Sequence, residues 1–167
     1  MRTFVGIKLD NKYRGKITNI IGYLKQNGIS GNYTDINNVH LTLSFIGEIN
    51  EDKVSLIKKI IENIDINNIN VIINSVKVFK TYLIFEVEKT NELLRVQKEL
   101  ADNLLKNGFN VDTKEYYPHI TIIRKPENVN SIALNNINKN LNIISKVTEI
   151  TLFESTRING RLQYIKL

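Results

Sequence analysis

Two long segments, 15–28 and 91–108, carry apolar residues every three or four positions. These residues are Ile17, Ile20, Ile21 and Leu24 in the first segment and Leu93, Val96, Leu100 and Leu104 in the second. Such spacing places them on one face of a helix, so both segments are predicted to be amphipathic helices. Both end at Asn-Gly, which is typical of a helix C-terminus, and Thr90 is placed to cap the second helix.

Shorter segments with β-branched and aromatic residues predict strands. The predicted strands are 3–10, 70–79, 82–89, 149–158 and 161–167. Asn-Gly at 159–160 is a hairpin signal between the last two. Two more helices are predicted at 51–63, with Asn50 as its N-cap, and at 128–140.

The predicted elements repeat in the same order when the chain is shifted by 79 residues, the separation of its two histidines, His40 and His119. The strand 3–10 then falls on 82–89, and the first long helix falls within the second. We therefore predict one α+β domain, residues 1–167, made of two pseudo-symmetric β-α-β-α-β lobes. Mostly antiparallel sheets face a central cleft, and the helices lie outside.

Both histidines stand in the same four-residue frame, His-apolar-Thr-apolar, within "HLTLSFIG" and "YYPHITIIR". Side chains alternate between the two faces of a strand, so His40 shares a face with Thr42, and His119 with Thr121. The same alternation puts Ser44 beyond Thr42. It puts Leu41, Leu43 and Phe45 on the opposite, apolar face, where Phe45 is expected in the core.

Two imidazoles and two hydroxyls facing one cleft suit the hydrolysis of a phosphodiester. A neutral histidine can take a proton from water while a protonated one gives a proton to the leaving oxygen, because the ordinary pKa near 6.5 allows both forms. The threonine hydroxyls can bind phosphate oxygens. Two histidines can also hold zinc, but this would need further ligands.

Arg124 can neutralise phosphate charge with two parallel hydrogen bonds. Strict alternation would put Arg124 on the face opposite His119, so it reaches the cleft only at a strand end or after a bulge. Lys125 is the alternative cation.

Composition narrows the function classes further. The chain has no cysteine, which excludes a cysteine nucleophile, disulfides and thiolate metal sites. It has no G-x-S-x-G and no phosphate-binding loop motif, no apolar stretch near the roughly 20 residues that span a bilayer, and no pattern of a signal peptide. We expect a cytoplasmic protein without membrane contact. The net charge of +6 suits an anionic partner such as RNA.

The two histidine segments together resemble the signature motifs of the 2H phosphoesterases, and most of all their RNA 2′,3′-cyclic phosphodiesterases, also called 2′-5′ RNA ligases. The first motif resembles H-x-T-x-x-F-x-G, and the second resembles P-H-x-T-x-x-R. The residues that carry them are His40, Thr42, Phe45 and Gly47, and Pro118, His119, Thr121 and Arg124. The opening "MRTFVGIKLD" and the final "LFESTRINGRLQYIKL" are also similar to the family.

This resemblance implies metal-independent hydrolysis of a 2′,3′-cyclic phosphate to a 2′-phosphate by a monomer without a cofactor. The expected substrates are RNA with a cyclic phosphate end and cyclic nucleotides. We assign His119 as the general base and His40 as the general acid, although the pseudo-symmetry leaves the reverse open. Thr42, Thr121, Arg124 and Tyr117 are expected to bind the substrate, with Tyr117 placed to stack on a base.

Two other functions remain open from the sequence. The same site could join RNA ends through a 2′-5′ linkage without ATP, or the chain could be a non-catalytic module that binds nucleotides or RNA.

Overall fold

The computed structural model describes residues 1–167 and contains nine strands and four α-helices. The strands are β1 (Arg2–Ile7), β2 (Ser30–Tyr33), β3 (Leu41–Glu48), β4 (Asn70–Phe79), β5 (Tyr82–Val87), β6 (His119–Glu127), β7 (Ile143–Lys146), β8 (Thr151–Ile158) and β9 (Arg161–Lys166). The helices are α1 (Arg14–Gln26), α2 (Val54–Glu62), α3 (Asn91–Lys106) and α4 (Ser131–Asn138). No helix combines the length and the apolar character that crossing a bilayer would require.

The predicted helices and strands are present, with bounds that differ by a few residues. The Thr90 hydroxyl caps α3 by accepting a hydrogen bond from the backbone N–H of Leu93 at 3.2 Å. Residue Asn50 precedes a 3₁₀ turn, Glu51–Lys53, that leads into α2, and its side chain makes no capping bond. The short strands β2 and β7 were not predicted, because four-residue strands such as SGNY lack a clear apolar alternation.

The strands form two antiparallel sheets, as predicted. One sheet has four strands in the order β3-β1-β8-β9, and the other has five in the order β2-β6-β5-β4-β7. Neither sheet is built from one continuous segment of the chain. In the four-stranded sheet β8 pairs with β1, and in the five-stranded sheet β4 pairs with β5. Each sheet therefore contains strands from both halves of the chain.

The helices cover the outer faces of the sheets and leave the inner faces to the cleft. The contacts of α3 with β3 and of α2 with β8 place these two helices on the four-stranded sheet. The five-stranded sheet carries α4, which packs on β4. Helix α1 lies at its β7 edge, where Lys16 donates a hydrogen bond to the carbonyl of Asn142 at 3.2 Å. The phenol of Tyr13, just before α1, donates a hydrogen bond to the carbonyl of Ile144 in β7 at 2.7 Å. A contiguous core of 36 buried residues lies under the helices.

Strand β3 is bulged at two places, which changes the face of its outer residues. The register on β1 pairs Gly6 with Thr42 and Val5 with Ser44, which leaves Leu43 as an extra residue. It pairs Phe4 with Phe45 and Thr3 with Gly47, which leaves Ile46 as a second one. The predicted alternation is therefore wrong beyond Thr42. Ser44 is buried opposite Val5, whereas the Phe45 side chain lies in the cleft with 46% of its surface exposed.

A glycine at the end of this motif would suggest a turn after the strand, but Gly47 does not form one. It lies inside β3 at the outer register shift, with a φ of +87°. A side chain is strained at this φ, which explains a glycine at the bulge.

We expect Gly6→Ala to destabilise the fold, because a Cβ at this position would lie 2.8 Å from the carbonyl oxygen of Leu41 and 3.5 Å from Cδ2 of His40. The expected loss is about 1–3 kcal/mol in the free energy of unfolding, the usual range for overpacking. Denaturant titration would measure this loss. Gly22→Ala in α1 is the matched control, since a Cβ there meets nothing within 4 Å and should be neutral or stabilising. Equal effects at the two glycines would contradict the close approach.

Candidate active site

One large cleft, of about 720 Å³, opens between the inner faces of the two sheets. All six side chains that the sequence singled out line this cleft, and they come from both sheets. They are His40, Thr42, Tyr117, His119, Thr121 and Arg124. The cleft is therefore the candidate active site.

Both histidines are held by the same backbone device. Nδ1 of His40 lies 2.7 Å from the carbonyl oxygen of Asn38, and Nδ1 of His119 lies 2.8 Å from that of Tyr117. Because a carbonyl oxygen only accepts, each Nδ1 carries the proton. The neutral form of each ring therefore has its lone pair on Nε2, the nitrogen left for the cleft.

The two Nε2 atoms differ in their partners. Nε2 of His40 lies 2.9 Å from the Thr42 hydroxyl, which donates to it when the ring is neutral. Nε2 of His119 has no hydrogen-bond partner within the chain. The hydroxyl of Thr121 is likewise unbound, while its carbonyl accepts a hydrogen bond from the Thr34 hydroxyl at 2.9 Å. The His119 side of the site is therefore the more open one.

The ring of His40 is packed among aromatic side chains on the floor of the cleft. The ring of Phe4 lies at a centroid distance of 4.8 Å, and Tyr164 meets the imidazole edge-on at 4.9 Å. Phe153 supports Phe4 from below at 5.3 Å. Burial among these rings lowers the pKa of His40 to about 4, and the charges of Lys8, Arg124 and His119 act in the same direction.

Polar contacts across the cleft fix the strand ends that carry these groups. The amide of Asn38, the residue that orients His40, donates to the carbonyl of Leu162 in β9 at 2.9 Å. On the other side, the phenol of Tyr116 donates to the carbonyl of Thr42 at 2.6 Å. Burial raises the pKa of Tyr116, so its phenol keeps its proton and remains a donor.

A β-bulge brings Arg124 to the cleft. The register on β5 pairs Thr121 with Ile84 and Arg124 with Tyr82, which leaves one extra residue in β6. Ile122 and Ile123 are consequently both buried in the core, and Arg124 returns to the face of His119 and Thr121. Its side chain is exposed and makes no salt bridge, so its charge is available to an anion. Lys125, the alternative cation, does not line the cleft.

Tyr117 is held in the wall of the cleft and is covered by a second ring. Its phenol donates to Oε2 of Glu86 at 2.7 Å, and Glu86 also pairs with Lys77. The ring of Phe79 stacks on Tyr117 at 4.4 Å with an interplanar angle of 17°. Phe79 lines the cleft together with Tyr117, so its ring is a second candidate for stacking on a base.

Arg2, Phe45 and Phe79 also line the cleft, although the sequence did not mark them as site residues. Phe45 was assigned to the core because the bulges of β3 have no clear sequence signal. Phe79 and Arg2 end and begin ordinary strands, and only their position opposite the histidine motifs marks them. No three His, Cys, Asp or Glu side chains are grouped anywhere in the chain.

The chain is similar to a known protein family and to named proteins. A family model described as the 2′-5′ RNA ligase superfamily matches residues 21–159. A Thermotoga maritima protein named RNA 2′,3′-cyclic phosphodiesterase is 31% identical over 134 residues, which cover 74% of this chain and 70% of that protein. A protein of the same name from Archaeoglobus fulgidus is 28% identical over 130 residues, covering 74% of this chain and 72% of that protein.

Solved structures show the same fold. The crystal structure of E. coli LigT complexed with 3′-AMP aligns with a TM-score of 0.80 at 22% identity, covering 99% of this chain and 94% of that one. The TT0787 protein of Thermus thermophilus aligns with a TM-score of 0.78 at 17% identity, covering 100% and 95%.

The lowered pKa of His40 predicts a loss of stability on acidification. The unfolded chain takes up a proton at His40 as the pH falls through about 6.5, whereas the folded chain does so only near 4. The free energy of unfolding should therefore fall across this window, by up to about 3 kcal/mol. Denaturant titrations between pH 7 and 4 measure the change. The contribution of Glu86, whose pKa is lowered mainly by its hydrogen bond with Lys77, is lost only below the ordinary glutamate value of 4.5.

In this experiment His40→Gln should lose clearly less stability between pH 6.5 and 4.5 than the unsubstituted chain. His119→Gln is the matched control and should keep the His40 contribution. A pH dependence that is unchanged in His40→Gln would show that the buried imidazole is not its source.

Proposed function

Because this chain belongs to the 2′-5′ RNA ligase superfamily, we propose that it is an RNA 2′,3′-cyclic phosphodiesterase that opens cyclic phosphate ends to 2′-phosphates. Its named relatives at 26–31% identity carry this activity in their names. The observation that carries the proposal is the pair of histidines that share one cleft, each with Nδ1 bound to a backbone carbonyl and Nε2 left for the reaction.

The reaction needs one proton acceptor and one proton donor. A water oxygen forms a new bond to phosphorus while the bond between phosphorus and the 3′ oxygen breaks, and the entering and leaving oxygens lie roughly in line. One imidazole takes the proton of the water, and the other gives a proton to the 3′ oxygen. The products are a 2′-phosphate and a 3′-hydroxyl. The histidine that acted as the base is now protonated, and the one that acted as the acid is neutral.

We assign the base to His119 and the acid to His40, as the sequence suggested. The open Nε2 of His119 supports the first role, because a water molecule can reach it. His40 is neutral at pH 7 in the free protein, since its pKa is about 4. The negative charge of a bound phosphate favours the protonated imidazole. His40 therefore takes up a proton from solvent when the substrate binds, and it later donates that proton.

The remaining groups bind and orient the phosphate and the base. The hydroxyls of Thr42 and Thr121 and the guanidinium of Arg124 are hydrogen-bond donors for the non-bridging oxygens. Tyr117 and Phe79 stack on each other and both line the cleft, so their rings are available for stacking on the terminal base. We propose that the chain acts as a monomer in the cytoplasm and needs no cofactor.

We expect purified protein to hydrolyse RNA with a 2′,3′-cyclic phosphate end to the 2′-phosphate in the presence of EDTA, because proton transfer and hydrogen bonding suffice. Chromatography of the digested ends against 2′- and 3′-phosphate standards measures the product. Activity that disappears with EDTA and returns with zinc would establish a metal enzyme instead. Binding without turnover would establish a binding module.

His40→Ala and His119→Ala should each lower turnover by roughly 10²–10⁴-fold, the range for losing a positioned acid or base. The double variant should lose much less than the product of the two factors, since the groups act as a unit. Thr42→Ala, Thr121→Ala and Arg124→Ala should act mainly through substrate binding. Steady-state kinetics on the same RNA measure these effects, and single histidine variants with near-normal turnover would contradict the mechanism.

A substrate with a good leaving group separates the two histidine roles. A 3′-deoxynucleoside 2′-(4-nitrophenyl phosphate) keeps the 2′ ester, as the proposed reaction does, and releases nitrophenolate, which needs little help from an acid. With this substrate His40→Ala should regain most of its lost activity, whereas His119→Ala should not. Recovery in His119→Ala instead would reverse the assignment.

A further inference from the structure

The wall of the cleft formed by the four-stranded sheet carries an arginine that the proposed chemistry does not use. The guanidinium carbon of Arg2 lies 5.0 Å from the centroid of the Phe45 ring. Both side chains line the cleft. Because β3 is bulged, the Phe45 ring stands in the cleft and gives the guanidinium a flat apolar support. Such cation–π contacts hold the cation in place without neutralising its charge.

No carboxylate within the chain neutralises the charge of Arg2. Arg2 makes no salt bridge, and the carboxylate opposite it in the register, Glu48, pairs with the amino group of Met1 at 3.2 Å. Ser155 is the other neighbour of Arg2 in the sheet, and it lines the cleft as well. An exposed guanidinium beside a hydroxyl is suited to binding a phosphate group.

Arg2 is set apart from the reacting phosphate. In the register of the sheet, Thr42 lies opposite Gly6. Phe45 lies opposite Phe4, two residues nearer the start of β1. This offset corresponds to about 6–7 Å along a strand, which is comparable with the separation of successive phosphates in a nucleic acid. Arg124, by contrast, lies close enough to His40 to lower its pKa, and Arg2 is not among the charges that do so.

Arg2 also stands where the pseudo-symmetry of the two lobes is broken. Shifting the chain by 79 residues places Phe45 on Arg124. At this position the second lobe has Arg124. The first lobe has the Phe45 ring, and Arg2 of the neighbouring strand β1 lies over that ring. Arg2 and Arg124 therefore occupy different positions in the cleft.

We propose that Arg2, supported by Phe45 and flanked by Ser155, binds the phosphodiester that precedes the terminal nucleotide. This proposal rests on the proposed function and makes it narrower, since it assigns the chain a site for a second phosphate. The preferred substrate is then an oligoribonucleotide with a cyclic phosphate end, and a free cyclic nucleotide leaves this site empty.

Three substrates that differ only beyond the terminal nucleotide test this site. They are a 2′,3′-cyclic mononucleotide, a dinucleotide with the same cyclic end, and that dinucleotide with a neutral methylphosphonate linkage. The chain should show the highest kcat/KM on the dinucleotide with the charged linkage. Arg2→Ala should lower kcat/KM for that substrate by roughly 10–100-fold, the value of a charge-assisted hydrogen bond. It should leave the other two substrates unchanged.

Two control variants accompany this test. Arg161→Ala removes an exposed arginine of β9 that does not line the cleft, and it should change none of the three activities. Arg2→Lys keeps the charge but not the planar fork, and it should recover part of the preference. A preference that is absent in the unsubstituted chain, or an Arg2→Ala effect that is equal on all three substrates, would overturn the proposal.

A binding experiment separates this inference from the proposed function. The double variant His40→Ala/His119→Ala is titrated with the charged and the neutral dinucleotide, with and without Arg2→Ala. Tighter binding of the charged dinucleotide that depends on Arg2 supports the second phosphate site, even if no substrate is hydrolysed. Equal affinity for the two dinucleotides overturns it, even if the cyclic phosphate is hydrolysed normally.

Discussion

The chemistry of the cleft depends on one kind of hydrogen bond, made twice, from Nδ1 of a histidine to the carbonyl two residues before it. This bond fixes the tautomer and the ring plane together, so that Nε2 is the nitrogen left for the cleft in both lobes. The backbone that supplies the carbonyls must then be held in place itself. The amide of Asn38 bound to β9 and the ring of Tyr117 stacked on Phe79 do this in the two lobes.

The sequence was sufficient for the parts of the fold that follow periodic patterns. Four helices, the long strands and the 79-residue offset could be predicted, because apolar spacing and Asn-Gly turns are local signals. Apart from the hairpin of β8 and β9, the pairing of strands could not be predicted in the same way. Strand β8 pairs with β1 and β4 pairs with β7, and no local pattern marks a pairing between strands so far apart in the sequence.

The candidate site shows the same division at the level of single residues. The histidines and threonines could be found because they repeat in one frame, with the two members of each pair two residues apart. Beyond that distance, bulges decide the face. The extra residue in β6 turns Arg124 toward the cleft. The extra residue between Thr42 and Ser44 in β3 turns the Phe45 side chain out of the core. A bulge depends on the register with the neighbouring strand, so alternation alone fails there.

The interleaved sheets have a consequence for how this protein acquires its activity during synthesis. His40 lies early in the chain, yet its ring contacts Tyr164, and the Asn38 that orients it is bound to Leu162. A growing chain that already exposes both histidines still lacks the strands that hold the first of them. The histidine pair can therefore be assembled only after β8 and β9 have left the ribosome.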